Sequence, residues 1–371
     1  MSSFSIANRL LPSRMRGVLF RHRPEDIWVS SKIPVPKLNE FIPPGTEASA
    51  SASDRAIIWV KYAGVNRADI MQRDMKYPPP AHACDRLGLE VSGELVALGN
   101  ETPDALVPPV GSDVMALVDG GAYAEFVSVC ANHVLPIPRF RDLENDDQKF
   151  QLAAAIPEAY TTAYQLVRKL ANVQPDDRVL VLAASSSVGL AAIELCRKLC
   201  KCETVVGVCS NSKVAYPAAA GATTVVGYLP EEAYRKYMET QYNSFFSVIL
   251  DCVGGSSFNL LQKVASVDAR WVMYGSLGTV RLASRVSIAP MLEKRITIMW
   301  TTLRSRSDAY KTELVRDMYA EVAPLFSLGV LSHPRIDSSY NLEDVALAHD
   351  KMRANQNAGK MVLKVRDYLV F

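Results

Sequence analysis

A short apolar run, Val179–Leu182, leads into Ala183–Ala184–Ser185–Ser186–Ser187–Val188–Gly189 and then into an apolar helical pattern. Small residues between a buried strand and a helix leave backbone N–H groups open at the helix N-terminus, where a pyrophosphate can be held. The chemistry of this turn is dinucleotide binding. Of the three glycines of G-x-G-x-x-G only the last is present, as Gly189, with Ala184 and Ser187 read in the first two places. Alone, so reduced a match is weak. About 20 residues on, where an NAD-preferring turn carries Asp or Glu for the ribose 2′-hydroxyl, the chain reads Cys209–Ser210–Asn211–Ser212–Lys213. A carboxylate would repel a 2′-phosphate, whereas hydroxyls, an amide and an ammonium bind one. NADPH is the expected cofactor. Asp251–Cys252–Val253–Gly254–Gly255 and Tyr274–Gly275–Ser276–Leu277–Gly278 each follow a further apolar run. Loops at the carboxyl ends of parallel strands are where ligands bind on such sheets, although glycine in a turn is common without a ligand.

Those residues need a particular frame. From about Gln151 strand-like runs alternate with helical ones: Val179–Leu182 with Gly189–Lys198, then Thr204–Cys209 with Lys213–Ala220. Val225–Val226, Val248–Cys252 and Trp271–Tyr274 supply further strands, and the alternation predicts a parallel sheet covered by helices on both faces. Before it, Ala56–Tyr62, Val91–Leu98, Val114–Leu117 and Ala124–Val129 are strand-like runs broken by Pro and Gly, an all-β texture. After about Met299 come two helical patterns, Lys311–Leu325 and Leu342–Ala354, and a last strand, Lys360–Val365. The simplest architecture is an α/β protein in which a β-rich domain built from both chain ends, 15–156 and 299–371, carries an inserted doubly wound domain, 157–298. Residues 1–14 are read as an extension, and Ile42–Asp54, rich in Ser and Ala, as a surface loop.

Composition narrows the class. The 371 residues are 49% hydrophobic and 22% charged with a formal net charge of +2, so bulk electrostatics give no reason to expect a nucleic-acid or membrane partner. No apolar run approaches the roughly 18 residues that span a bilayer. The seven cysteines contain no CxxC pair, and Cys196, Cys200 and Cys202 read as small apolar residues of a reducing compartment. A cytoplasmic protein is expected. The first 24 residues, with five arginines and no acid, leave mitochondrial import as the alternative.

The chain resembles the zinc-free, zeta-crystallin-like quinone oxidoreductases of the medium-chain dehydrogenase/reductase family. The resemblance is carried by Gly64–Arg73 with Tyr77–Pro80, by Leu87–Gly93, Ala155–Glu158, Val248–Gly255, Leu303–Arg306 and Asn357–Lys360, in that order along the chain. It implies a GroES-like catalytic domain around a Rossmann domain, an active site in the cleft between them, and a homodimer. It also implies that Lys213 and Tyr228 hold the 2′-phosphate end with Ser210 assisting, and that the turn from Ser186 through Ser187 and Val188 to Gly189 lies at the pyrophosphate. Thr162, Cys252, Tyr274 and Ser276 would face the nicotinamide side, with Asn357 and Lys360 closing the cleft. Asn66, Asp69 and Tyr77 would line the substrate side, Tyr77 orienting the substrate oxygen or relaying a proton, while Asn66 and Asp69 serve equally well as loop-fixing residues. Where zinc-dependent relatives carry Cys and His ligands, this chain has Asn66–Arg67–Ala68–Asp69 and Gly88–Leu89–Glu90, so no metal is expected. The implied activity is NADPH-dependent reduction of a quinone or enone. The competing reading is an NADPH-binding, zeta-crystallin-like protein with an RNA-binding or structural role, for which the sequence offers no aromatic-interleaved basic strip.

Overall fold

The computed structural model describes residues 5–6, 11–21, 26–38, 54–81, 83–99, 105–282 and 286–366. The loop expected at 42–53 and most of the N-terminal extension lie outside the described residues. The chain forms two compact units: Met1–Glu158 with Arg304–Gly329 and His333–Phe371, and Ala159–Leu303 with Val330–Ser332.

The first unit is organised by strand Arg55–Val65, eleven residues of which nine are buried. It pairs antiparallel with three other strands. Val60 lies opposite Gly93 of strand Glu90–Leu98, Ile57 opposite Ser128 of strand Phe126–Cys130, and Val65 opposite Met361 of strand Lys360–Lys364. The eight-stranded sheet runs Ile336–Asn341, Lys360–Lys364, Arg55–Val65, Glu90–Leu98, Asp113–Leu117, Val134–Pro136, with two further strands pairing off that path. Its core, built around Ile58, Val60, Val91, Leu95, Val114 and Leu363, is essentially dry. Burial on this scale is what fixes the register, since a one-residue slip would turn each apolar set outward. That register has a chemical consequence. Continued by one residue, it sets Lys360 opposite Asn66 and Glu90 opposite Gly64.

The second unit is a six-stranded, wholly parallel sheet. Its strands in spatial order are Thr224–Gly227, Thr204–Cys209, Arg178–Val181, Phe246–Asp251, Ala265–Met273 and Thr297–Trp300. Numbered along the chain this is 3-2-1-4-5-6, the doubly wound dinucleotide-binding order, whose ligand crevice opens where strands 1 and 4 diverge. The five expected strands are seen, Thr204–Cys209 with the expected ends and the others shifted or lengthened, most of all Ala265–Met273 in place of Trp271–Tyr274, whereas the sixth, Thr297–Trp300, is unexpected. Two helices differ from a plain α-helical pattern. The helix after Arg178–Val181 is α only over Ser187–Glu194 and continues as a π-helical turn, Leu195–Leu199. Pro157–Tyr164 likewise passes into a π turn, Gln165–Leu170. Helical periodicity in the sequence does not separate the two hydrogen-bond patterns.

Candidate active site

In the second unit the turn after the first strand leads directly into a helix N-terminus whose first N–H groups could hold a phosphate. Ser186 caps the helix: its Oγ accepts from the Gly189 N–H at 3.0 Å, which orders the first turn. The N–H groups of Ser187 and Val188 begin that turn, where helix geometry leaves donors without intrahelical partners. Gly189 is demanded by packing, because a Cβ there would lie 2.6 Å from the Ala183 carbonyl oxygen. Ala183 itself adopts φ +48, a left-handed conformation that glycine would take more easily. The places within the motif therefore differ from the sequence reading. Ser186, three residues before Gly189, occupies the second-glycine place as the cap, and Ser187 is the first helical residue.

The end of the second strand is tied to the third. Asn211 Nδ2 donates to the Tyr228 carbonyl at 2.6 Å, and the Tyr228 N–H donates to the Cys209 carbonyl. Ser210 precedes the short turn Asn211–Lys213 and its carbonyl accepts from the Lys213 N–H, and Tyr228, 42% exposed, packs edge-on against Tyr234. Ser210, Lys213 and Tyr228 are thus all part-exposed or exposed around one strand-end pair. After the fourth strand, buried Asp251 accepts from the N–H groups of Val253 and Gly254 and from Trp271 Nε1. It shapes the loop and is not offered to a ribose. Cys252 is buried, and its carbonyl accepts from Leu277 N–H across to the Tyr274–Gly278 loop that carries Ser276. Among the described residues three hydroxyls of this unit are buried without a hydrogen-bond partner, Thr161 Oγ1, Thr162 Oγ1 and Tyr274 Oη. An orphaned hydroxyl in a protein interior is costly, and a polar cofactor group could relieve those it reaches.

The first unit holds a polar cluster on the ends of the strands that meet at Asn66. Lys360, 1% exposed, donates to Asn66 Oδ1 at 2.7 Å and to Glu90 Oε1. Asn66 Nδ2 donates to that same Glu90 oxygen at 2.9 Å, and the Glu158 N–H to Glu90 Oε2 at 2.9 Å. Glu90, wholly buried, is satisfied at both oxygens. Beside it, Asp69 starts the helix Arg67–Arg73 by accepting from the Asn66 N–H, and its other bonds come from Gly88 N–H at 2.7 Å and Tyr123 Oη at 2.8 Å. Burial pushes the Asp69 carboxyl up and these three donors hold it down. With both oxygens occupied, Asp69 fastens the loop of Asn66 to the loop of Gly88, whose φ of +95 suits glycine. Tyr77 is part-exposed, and burial and then Glu158 raise its hydroxyl pKa. Asn357 is part-exposed and bonds back to the Gly359 carbonyl. Arg304, 5% exposed, donates to Gln72 Oε1 and to the Asp119 and Cys84 carbonyls.

The structure thus gathers Asn66, Asp69 and Lys360, with Tyr77 in electrostatic reach of Glu158, in one unit. It gathers the turn residues with the strand-end residues in the other. Sequence reasoning passed over Glu90, Glu158 and Tyr123 as site residues. Glu90 and Glu158 stand inside the segments that carry the family resemblance, but nothing local marks them as neighbours.

Two family profiles match the chain in order, the alcohol dehydrogenase GroES-like domain over residues 52–139 and the zinc-binding dehydrogenase over 220–363. The chain belongs to the medium-chain dehydrogenase/reductase family. A synaptic vesicle membrane protein VAT-1 homolog of Danio rerio is 28% identical over 330 residues, 85% of this chain and 65% of that protein's length. A protein of Leishmania amazonensis named "Probable quinone oxidoreductase" is 24% identical over 317 residues, 83% of this chain and 88% of its own. A mycobacterial protein solved in complex with NADPH shares the fold at TM-score 0.75 and 21% identity, over 94% of this chain and 99% of that one. The second profile's name raises the question of zinc, and the donor set of this medium-chain dehydrogenase/reductase does not suit it. Among the described residues no three His, Cys, Asp or Glu side chains group as a metal site. The oxygens of Asn66 and Glu90 already hold an ammonium. Nor is any helix of the described residues long and apolar enough to cross a membrane.

Proposed function

We propose that this protein is an NADPH-dependent reductase of quinones or other conjugated carbonyls, working by hydride transfer without a metal. The observation that carries the reading is the Lys360 ammonium held between Asn66 and Glu90, at the positions aligned with the loops that bear zinc ligands in zinc-dependent relatives. This buried ammonium is bonded to the very oxygens that the two loops offer and, having no vacant coordination site, supplies no Lewis acid. An alcohol substrate needs one to stabilise its alkoxide, whereas a quinone or enone is already electrophilic.

In this reading the Ser186–Gly189 turn holds the pyrophosphate and Lys213, Tyr228 and Ser210 the 2′-phosphate, where no carboxylate stands to repel it. The hydroxyls of Thr162 and Tyr274 receive the nicotinamide end, which Cys252 and Ser276 flank. The bound dinucleotide supplies a hydride. Tyr77 orients the acceptor oxygen, and Asp69, through Asn66 and Gly88, holds the two loops of the substrate side in place. Positioning supplies most of the rate. The NADPH complex of the mycobacterial neighbour and the name of the Leishmania relative support this choice of cofactor and substrate.

A homodimer also follows. Strand Thr297–Trp300 is an edge of the parallel sheet, and Trp300, Ile288 and Leu292 are 66%, 73% and 79% exposed beside it in the chain. An apolar sheet edge is a template for pairing with a second copy. All seven cysteines are free, as suits the reducing cytoplasm.

The test is NADPH and NADH oxidation with 1,2-naphthoquinone, 1,4-benzoquinone and an enone panel, after titrating each cofactor by fluorescence. Turnover with NADPH preferred by tenfold or more is expected. Tight NADPH binding without turnover of any of these acceptors refutes the reading.

A further inference from the structure

A cavity of about 50 Å³ lies wholly within the first unit and shares no residue with the Asn66–Glu90–Lys360 cluster. Its walls come from the loop of Cys84 and Arg86, the loop of Gly120 and Gly121, strand Phe126–Cys130 and the start of strand Arg55–Val65. Two guanidinium groups line it, Arg55 and Arg86, and among the described residues neither pairs with a carboxylate. Arg55 is engaged in part, since its Nε and Nη2 donate to the Ser128 hydroxyl and carbonyl at 3.2 and 3.1 Å. Arg86 is not. Among the described residues no group accepts from its guanidinium, and its Nε is buried without a partner. Asp119 also lines the cavity, but the Lys311 ammonium donates to both of its oxygens at 2.7 Å and takes up its charge. The cavity therefore keeps positive charge that nothing in the fold compensates, and charges removed from water are ordinarily paired.

The shape of the missing anion follows from the donors. The side edge of a guanidinium, Nε with one Nη, is a fork that meets a carboxylate or phosphate with two parallel N–H···O bonds. Gly121, at φ +87, places no side chain against this edge; a Cβ there would lie 3.4 Å from Cys84 Sγ and 3.9 Å from Arg86 Nε. Thiol and fork thus flank one hollow, and Cys84 is free and part-exposed. Pro36, Ala83 and Val127 make the neighbouring wall apolar. A phosphate, with three strong acceptor oxygens and nearly two charges, asks for more donors than these walls hold. A carboxylate needs the fork alone, and its alkyl end suits the apolar wall. The volume takes roughly four water-sized groups, the size of an acid of two or three carbons.

We propose that this cavity binds a small monocarboxylate, gripped by the Nε–Nη edge of Arg86 under the added charge of Arg55, with the carbon chain of the ligand against Cys84. The site stands apart from the reductase reading and survives or fails without it. Iodoacetate tests it, because it is a two-carbon acid that carries its reactive carbon to the thiol, and iodoacetamide is its neutral counterpart. Alkylation of each cysteine of the full chain is followed by mass spectrometry at neutral pH. Relative to the urea-unfolded chain, the preference of Cys84 for iodoacetate over iodoacetamide should rise by about tenfold, and propionate should slow the iodoacetate reaction by about fivefold or more. Arg86→Gln should return that preference to the unfolded value and leave the unfolding midpoint unchanged, since Arg86 bonds nothing in the fold. Arg86→Lys, which keeps the charge without the fork, should recover less than about half of the preference. A wild-type preference equal to that of the unfolded chain, or one that persists in Arg86→Gln, overturns the site. Propionate protection is read on the wild type alone, so its absence overturns the site even if a variant fails to fold. Inorganic phosphate protecting Cys84 as well as propionate does, at equal ionic strength, overturns the assignment to a carboxylate.

Discussion

Replacing Lys360 with Met removes one charge from the centre of the Asn66–Glu90–Lys360 cluster and keeps most of the side-chain volume. In the native protein Glu90 is 0% exposed and holds three donors, from Lys360, Asn66 and the Glu158 backbone. After the substitution it keeps two neutral donors and no cation. Removing one partner of a buried pair costs about 3–5 kcal/mol, because the remaining charge has no compensation. Asn66 Oδ1 loses its donor as well, which adds about 1 kcal/mol. The double variant Lys360→Met/Glu90→Gln carries no charge, and a glutamine oxygen can still accept from Asn66 and from the Glu158 N–H. It should stand within about 2 kcal/mol of the wild type; because Glu90→Gln alone leaves the buried ammonium uncompensated at about 3–5 kcal/mol, the two singles sum to at least about 7 kcal/mol and the coupling between the sites is at least about 5 kcal/mol. The assay is urea unfolding read by hydrogen exchange at the amides of strand Arg55–Val65, which reports this unit and not the parallel sheet. A single variant costing under about 1 kcal/mol, or a double variant as unstable as the sum of its singles, would refute the reasoning.

Gly189→Ala should weaken NADPH binding by about tenfold or more, since a Cβ 2.6 Å from the Ala183 carbonyl must displace the turn; unchanged affinity by isothermal titration contradicts phosphate binding at this turn. Tyr123→Phe removes one of three donors from the buried Asp69 and should cost about 1–3 kcal/mol by denaturant unfolding. A neutral result would mean that Asp69 does not fasten the loops as described. In the second unit the Glu194 carboxyl, bonded to Tyr160 Oη and Ser332 N–H, is raised from 4.5 to about 7, chiefly by burial. Between those values the native state binds the extra proton, so stability should fall as pH rises from about 4.5 to about 7, by on the order of 3 kcal/mol. Glu194→Gln should flatten that slope in pH-dependent melting, and an identical slope in the variant would be evidence against it.

Much of the frame was legible because it is written locally. Short apolar runs between Gly, Pro and small-residue turns mark the parallel strands, while the 3-2-1-4-5-6 order in which they assemble is seen only in the structure. The missing carboxylate after Cys209 could be read directly. Other features left no local mark. The π turns at Gln165–Leu170 and Leu195–Leu199 share the apolar pattern of an α-helix. Strand Ile336–Asn341, with only part-buried or exposed residues, has none of the alternation by which a strand is recognised. Counting back three from Gly189 puts the second-glycine place at Ser186 and not Ser187, which spacing alone fixes, whereas the capping of the helix by the Ser186 hydroxyl is seen only in the structure.

By itself, then, the sequence determined the two-part architecture, the position of the dinucleotide turn and the absence of soft ligands from Asn66–Asp69 and Gly88–Glu90. These depend on periodicity and on residue type within a few positions. Only the tertiary structure decided what Lys360 does. It lies 294 residues from Asn66 and 270 from Glu90 in the chain, and their meeting depends on the antiparallel register of strands joined through the whole intervening domain. That register is set by which face of each strand must be buried, a property of the assembled core that no single segment contains. The same packing pushes the carboxyl of the helix-start Glu158 up to about 8, chiefly through burial and then through Glu90, against the opposing pull of Lys360.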